Sequence, residues 1–109
     1  MENSVLAILG IVTLWLTTVS VTASSFELQE ASISDIHKAL EAGSISCVQL
    51  TSGYLARINA YDQPAGLNAI TATNPAAMDI AKQLDTEYKV TKILRPLQCI
   101  PLIVKDNYD

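Results

Sequence analysis

Apolar and polar positions change period several times along this chain, and each change marks an element. Val5 to Leu16 is an uncharged apolar run. Further on, Ile33, Ile36 and Leu40 recur at the three-and-four spacing of one helix face. Ser32 precedes them and Asp35 follows it three positions later, the outline of a capping box. Gly43 supplies a stop, so the pattern predicts a helix from Ile33 to Ala42. Ser46 and Gln49 repeat the capping pattern. Leu50, Tyr54, Ile58 and Tyr61 then form the packing stripe of a second helix, reaching to about Ala60. Asp62 to Gly66 is a turn punctuated by Pro64. Leu67 to Thr73 reads as a strand. Asn74-Pro75 opens a third helix, Asn as cap and Pro at the first helical position. That helix is expected to reach about Tyr88, with Ala77, Ile80, Ala81 and Leu84 inward and Asp79, Lys82 and Asp85 on a solvated face. After a link through Leu94, the β-branched run Pro101 to Val104 reads as a strand buried on both faces.

The predicted order is helix, helix, strand, helix, strand, an α/β arrangement. Two strands joined through a helix are expected to lie parallel, with a right-handed crossover, as a βαβ unit. A sheet of two strands leaves the apolar Leu102-Ile-Val104 run with an unpaired edge. The expectation is therefore an incomplete domain, with further sheet to follow.

Composition changes this picture at the N-terminus. The chain has 109 residues, half of them apolar, a net charge of −4 and a pI near 4.7. This allows one domain, and no Lys/Arg cluster exists to track the phosphates of a nucleic acid. The leader inflates the apolar fraction. Val21 and Ala23 follow the run Val5 to Leu16 at the spacing a signal peptidase accepts. Residues 1–23 are read as a signal peptide cleaved after Ala23, leaving residues 24–109 as a secreted chain with no stable membrane insertion. The leader carries Glu2 and neither Lys nor Arg, which departs from the usual pattern. An uncleaved anchor is the alternative, but the run is short for a bilayer span.

Roughly 86 residues then remain, a size that is marginal without a staple. Cys47 and Cys99 could form one in an oxidising compartment or could stay as buried thiols. The single histidine, His37, lies off the apolar face of its helix and reads as a surface residue. No metal-ligand spacing and no Gly-rich phosphate loop is present, so no metal or cofactor is expected.

Lys105, at the end of the second predicted strand, is the residue whose context suggests chemistry. Spacing alone favours a snorkelling lysine paired with Asp106. If burial instead held such a lysine neutral, it could act as a general base. The segment Pro96-Leu-Gln-Cys-Ile-Pro-Leu-Ile-Val-Lys-Asp-Asn107 resembles the amidase signature family, whose first hallmark has the form P-L-x-G-I-P-x-x-x-K-D-N. Ser34 to Gly43, Leu55 to Ile58, Tyr61-Asp62, Leu67 to Ile70 and Asn74-Pro75 stand in the order and spacing of that family's N-terminal region, so the resemblance covers residues 26 to 109.

The resemblance implies a Ser–cis-Ser–Lys mechanism acting on a small-molecule amide, with Lys105 the catalytic lysine and Asp106 and Asn107 shaping its surroundings. It implies the N-terminal portion of the amidase-signature fold, truncated after the lysine motif. Both serines of the triad belong to a later Gly/Ser-rich segment. Ser44, Ser46 and Ser52 do not map onto it, so this chain alone is expected to be inactive. Cys99 stands where a glycine is usual. If the position needs a positive φ, cysteine there costs roughly 1–2 kcal/mol. With no activating histidine nearby, Cys99 is no nucleophile candidate. A second reading is a truncated, non-enzymatic secreted domain that pairs with another chain through its open sheet edge.

Overall fold

The computed structural model describes residues 26–105 and residue 107. The signal-peptide reading of residues 1–23, and Asp106, lie outside the described residues. Three helices are present: α1, Ile33–Glu41; α2, Cys47–Tyr61; and α3, Ala77–Thr91.

Each helix begins and ends for a local reason. In α1, Ser32 Oγ accepts from the Asp35 N–H at 3.1 Å, and the Asp35 carboxylate accepts from the Ser32 N–H at 3.3 Å and the Ser32 hydroxyl at 2.6 Å. This is the expected capping box. At its other end Gly43 takes φ +69°. The Gly43 N–H donates to Leu40 O and the Ser44 N–H to Ala39 O, the paired bonds of a Schellman ending.

Helix α2 satisfies all four of its first backbone donors. The Ser46 N–H donates to Gln49 Oε1 at 2.9 Å, and the Gln49 N–H to Ser46 Oγ at 3.1 Å. The two donors between them, on Cys47 and Val48, reach Asp85 of α3 at 2.8 and 3.1 Å. Asp85 is thus a half-buried cap joining two helices, not part of a solvated face.

Helix α3 starts two residues after the expected first helical position. Asn74 still organises the entry, its side chain accepting from the Ala76 N–H and its carbonyl from the Ala77 N–H. The helix ends at Lys92, in the left-handed conformation with φ +57°. This is one turn later than the expected end near Tyr88.

Ile36, Leu40, Cys47, Leu50, Ala81 and Cys99 form the core, and Leu28, Tyr54, Leu84, Leu94 and Ile100 pack around it. Helices α2 and α3 make the main contact between elements. Gly53 lets the incoming chain lie close on α2: a Cβ there would stand 2.5 Å from Leu28 Cδ1. The Tyr54 hydroxyl donates to Leu28 O beside it. Tyr61 and Ile80, expected inward, are exposed.

The α/β expectation fails, because the described residues contain no strand and hence no parallel βαβ unit. The physical reason is clearest at residues 67–70. The Ala69 and Ile70 N–H groups both donate to Asp62 Oδ1, at 2.7 and 3.3 Å, and the Asn68 N–H donates to Asp62 O. Asn68 itself turns to φ +50°. Three successive donors are thus committed to one buried aspartate and withheld from a ladder. The second expected strand, Pro101 to Val104, is exposed throughout, with Ile103 82% accessible. β-branched composition favours a strand only where a pairing partner and a covering layer exist.

Candidate functional site

The lysine segment leaves α3 through a short, heavily tied passage. Arg95 forms an ion pair with Glu87 of α3 at 2.8 Å. Pro96 to Cys99 then turns back on itself. The Arg95 N–H donates to Gln98 Oε1, the Gln98 N–H to Arg95 O, and the Ile100 N–H to Leu97 O. Gln98 and Cys99 are both buried. Among the described residues the Gln98 Nε2 donor has no hydrogen-bond partner.

Cys99 is buried at the end of this turn with φ +64°. The position therefore does adopt the left-handed conformation that favours glycine. Its sulfur is bonded to Cys47, with the two Cα atoms 5.2 Å apart. This settles the open cysteine question in favour of a disulfide. His37 Nε2 lies 3.3 Å from Gln98 O, so in its Nε2–H tautomer the ring donates to the carbonyl just before Cys99. His37 is half-buried and supports the turn, where the sequence suggested a surface residue.

Burial falls away beyond Cys99. Ile100 is half-buried, and every residue from Pro101 to Lys105 is exposed. Lys105 therefore does not close a buried strand. Its alternative pairing with Asp106 falls on a residue outside the described set. Ser32 and Ser46 are engaged as helix caps.

Among the described residues no three His, Cys, Asp or Glu side chains are grouped to hold a metal ion. Among those residues, too, no helix is long and apolar enough to cross a membrane. An open surface groove lies along Ile58, Asp62, Pro64 and Ile70 to Thr73. The Asp62 oxygens that border it are already taken by the Ala69 and Ile70 N–H groups and by Gln63.

The supports of the lysine segment were hard to find in sequence because they are distant. His37 lies 61 positions from Gln98, and Asp85 lies 38 from Cys47. Cys99 carried a usable signal, a non-glycine residue at a position where the resembling motif has glycine.

Comparison with known proteins places this segment in a family. The Amidase family profile matches residues 49–109, more than half of the chain and including the whole lysine segment. The chain belongs to the amidase family.

Among individual relatives, a glutamyl-tRNA(Gln) amidotransferase subunit from Chloroflexus aggregans is 38% identical over 80 residues, covering 73% of this chain and 16% of that protein. A protein of Arthroderma benhamiae named as an amidase is 35% identical over 65 residues, covering 60% of this chain and 11% of that protein. Another so named, from Schizosaccharomyces pombe, is 34% identical over 84 residues, covering 74% of this chain and 14% of its own length. The chain thus spans about a sixth or less of the length of these relatives. No solved structure gives a significant match.

Proposed function

We propose that this chain is the N-terminal part of a secreted amidase that hydrolyses carboxamide C–N bonds through a Ser–cis-Ser–Lys mechanism, with Lys105 as its base. The observation that carries this reading is the segment Pro96 to Asn107, which follows the family's lysine motif within the matched region 49–109. In this mechanism one serine attacks the amide carbonyl. A second serine relays its proton to the lysine, which must be neutral to accept it. A free lysine titrates near pH 10.4 and is largely charged at neutral pH. Polypeptide folded over the exposed Pro101–Lys105 segment would desolvate the amine and favour its neutral form.

The secreted location draws support from two features, the leader at residues 1–23 and the Cys47–Cys99 disulfide, a bond that persists in oxidising compartments. The substrate class follows the family: a small-molecule carboxamide.

The test is to sequence the transcript beyond the codon for Asp109. The reading requires the frame to continue into a Gly/Ser-rich segment carrying two serines. A stop codon directly after Asp109 would end it.

A second reading has one observation in its favour. Leu102, Ile103 and Val104 form an exposed apolar run, which suits a non-enzymatic secreted domain associating with another chain. In that case the 109-residue chain should sediment as a complex with its partner and gain no amidase activity from it.

A further inference from the structure

The Cys47–Cys99 disulfide ties the base of the lysine segment to the start of α2. Cys47 occupies the first position of α2 and is 1% exposed. Its N–H is held by Asp85 of α3, so its backbone is fixed by two helices at once. Cys99 is 6% exposed and is the last buried residue before Lys105. It also holds a φ of +64°, in the left-handed region that favours glycine. The backbone at this one residue sets the direction in which Ile100 to Lys105 leave the core.

We propose that the disulfide is a redox-sensitive latch on the lysine segment: the covalent bond to Cys47 holds a non-glycine residue in the left-handed conformation that aims Ile100 to Lys105. A dithiol opens it by thiol–disulfide exchange. One thiolate attacks a cysteine sulfur to give a mixed disulfide. The reagent's second thiol then displaces the other half, and two electrons pass from the dithiol to leave Cys47 and Cys99 as thiols. With the bond gone, Cys99 relaxes toward the extended region and the segment after it changes course. A glycine at 99 needs no such latch, so positions 47 and 99 are coupled. The inference rests on the backbone and the bond at Cys99, and stands whether or not Lys105 acts as a base.

The test is amide hydrogen exchange on the full chain, oxidised and after reduction with dithiothreitol, with thiols counted to verify each state. The readout is protection at the Gln98 and Ile100 N–H groups, which bond to Arg95 O and Leu97 O, divided by protection at core amides of α2 and α3. The ratio removes any uniform loss of stability. Reduction of the wild-type chain is expected to lower it about tenfold, as is the pair Cys47→Ala/Cys99→Ala. The pair Cys47→Ala/Cys99→Gly is expected to keep it within about threefold of the oxidised chain and to ignore dithiothreitol. If the alanine pair does not fold, the reduced wild type and the glycine pair decide the matter. An unchanged ratio in the reduced wild type would overturn the proposal, making the bond a general staple. So would a glycine pair as loose as the reduced wild type, because the left-handed backbone would then not be what the bond maintains.

Discussion

At the level of single residues, three side chains set how the chain holds its shape. Asp85 is the first. It receives the Cys47 and Val48 N–H groups at the positive end of α2, bonds to a charged group in a partly buried place. Asp85→Ala is expected to destabilise the chain by about 2 kcal/mol, measured by urea unfolding, whereas a truly solvated aspartate would cost almost nothing. Asp35 is the second. Its carboxyl is held below its ordinary value, first by the Ser32 hydroxyl and then by the Ser32 N–H. A depressed folded-state value means stability that is present above the unfolded value, near pH 4, and lost as pH falls through the folded one. The stability gap between wild type and Asp35→Asn should therefore be full at pH 7 and close as the pH falls through that lowered folded-state value. A gap independent of pH would contradict the capping role. Cys99 is the third. It stands at a motif position that usually carries glycine, which left open whether a positive φ is needed there, and its φ is +64°.

At the level of elements, the helices were legible and the strands were not, for a physical reason. A helix closes its own hydrogen bonds, so its ends are written within four or five residues. Ser32 with Asp35, Ser46 with Gln49, and Gly43 all act where the sequence placed them. Ser46→Ala is expected to cost about 1 kcal/mol and to fray the first turn of α2, which the loss of helical circular dichroism on mild heating would report. A strand exists only through a partner elsewhere in the chain. Leu67 to Ile70 has apolar strand composition, yet its donors go to Asp62. Pro101 to Val104 has the composition of a buried strand and lies exposed. The lysine was legible as a motif residue and the Cys47–Cys99 bond as one of two readings of the cysteines, while the supports His37 and Asp85 were not, since each is joined to its partner only by the tertiary fold.

For the whole molecule, the disulfide carries much of the stability. It closes a loop spanning 52 positions, worth about 4 kcal/mol in the chain-entropy picture. A domain of this size has only about 4–12 kcal/mol in total. Denaturant unfolding with and without dithiothreitol should differ by about that amount; equal midpoints would show that the bond contributes nothing. The amidase account places Lys105 at the outer end of the segment this bond anchors. Its central claim is that Lys105 receives the attacking serine's proton through the second serine. The most direct test is kcat/KM of Lys105→Ala on a simple carboxamide, in the protein encoded by the complete reading frame, with far-UV circular dichroism alongside. The account predicts a loss of about 10³-fold, within the range of general-base catalysis, and an unchanged spectrum. Turnover within a few-fold of wild type would contradict it.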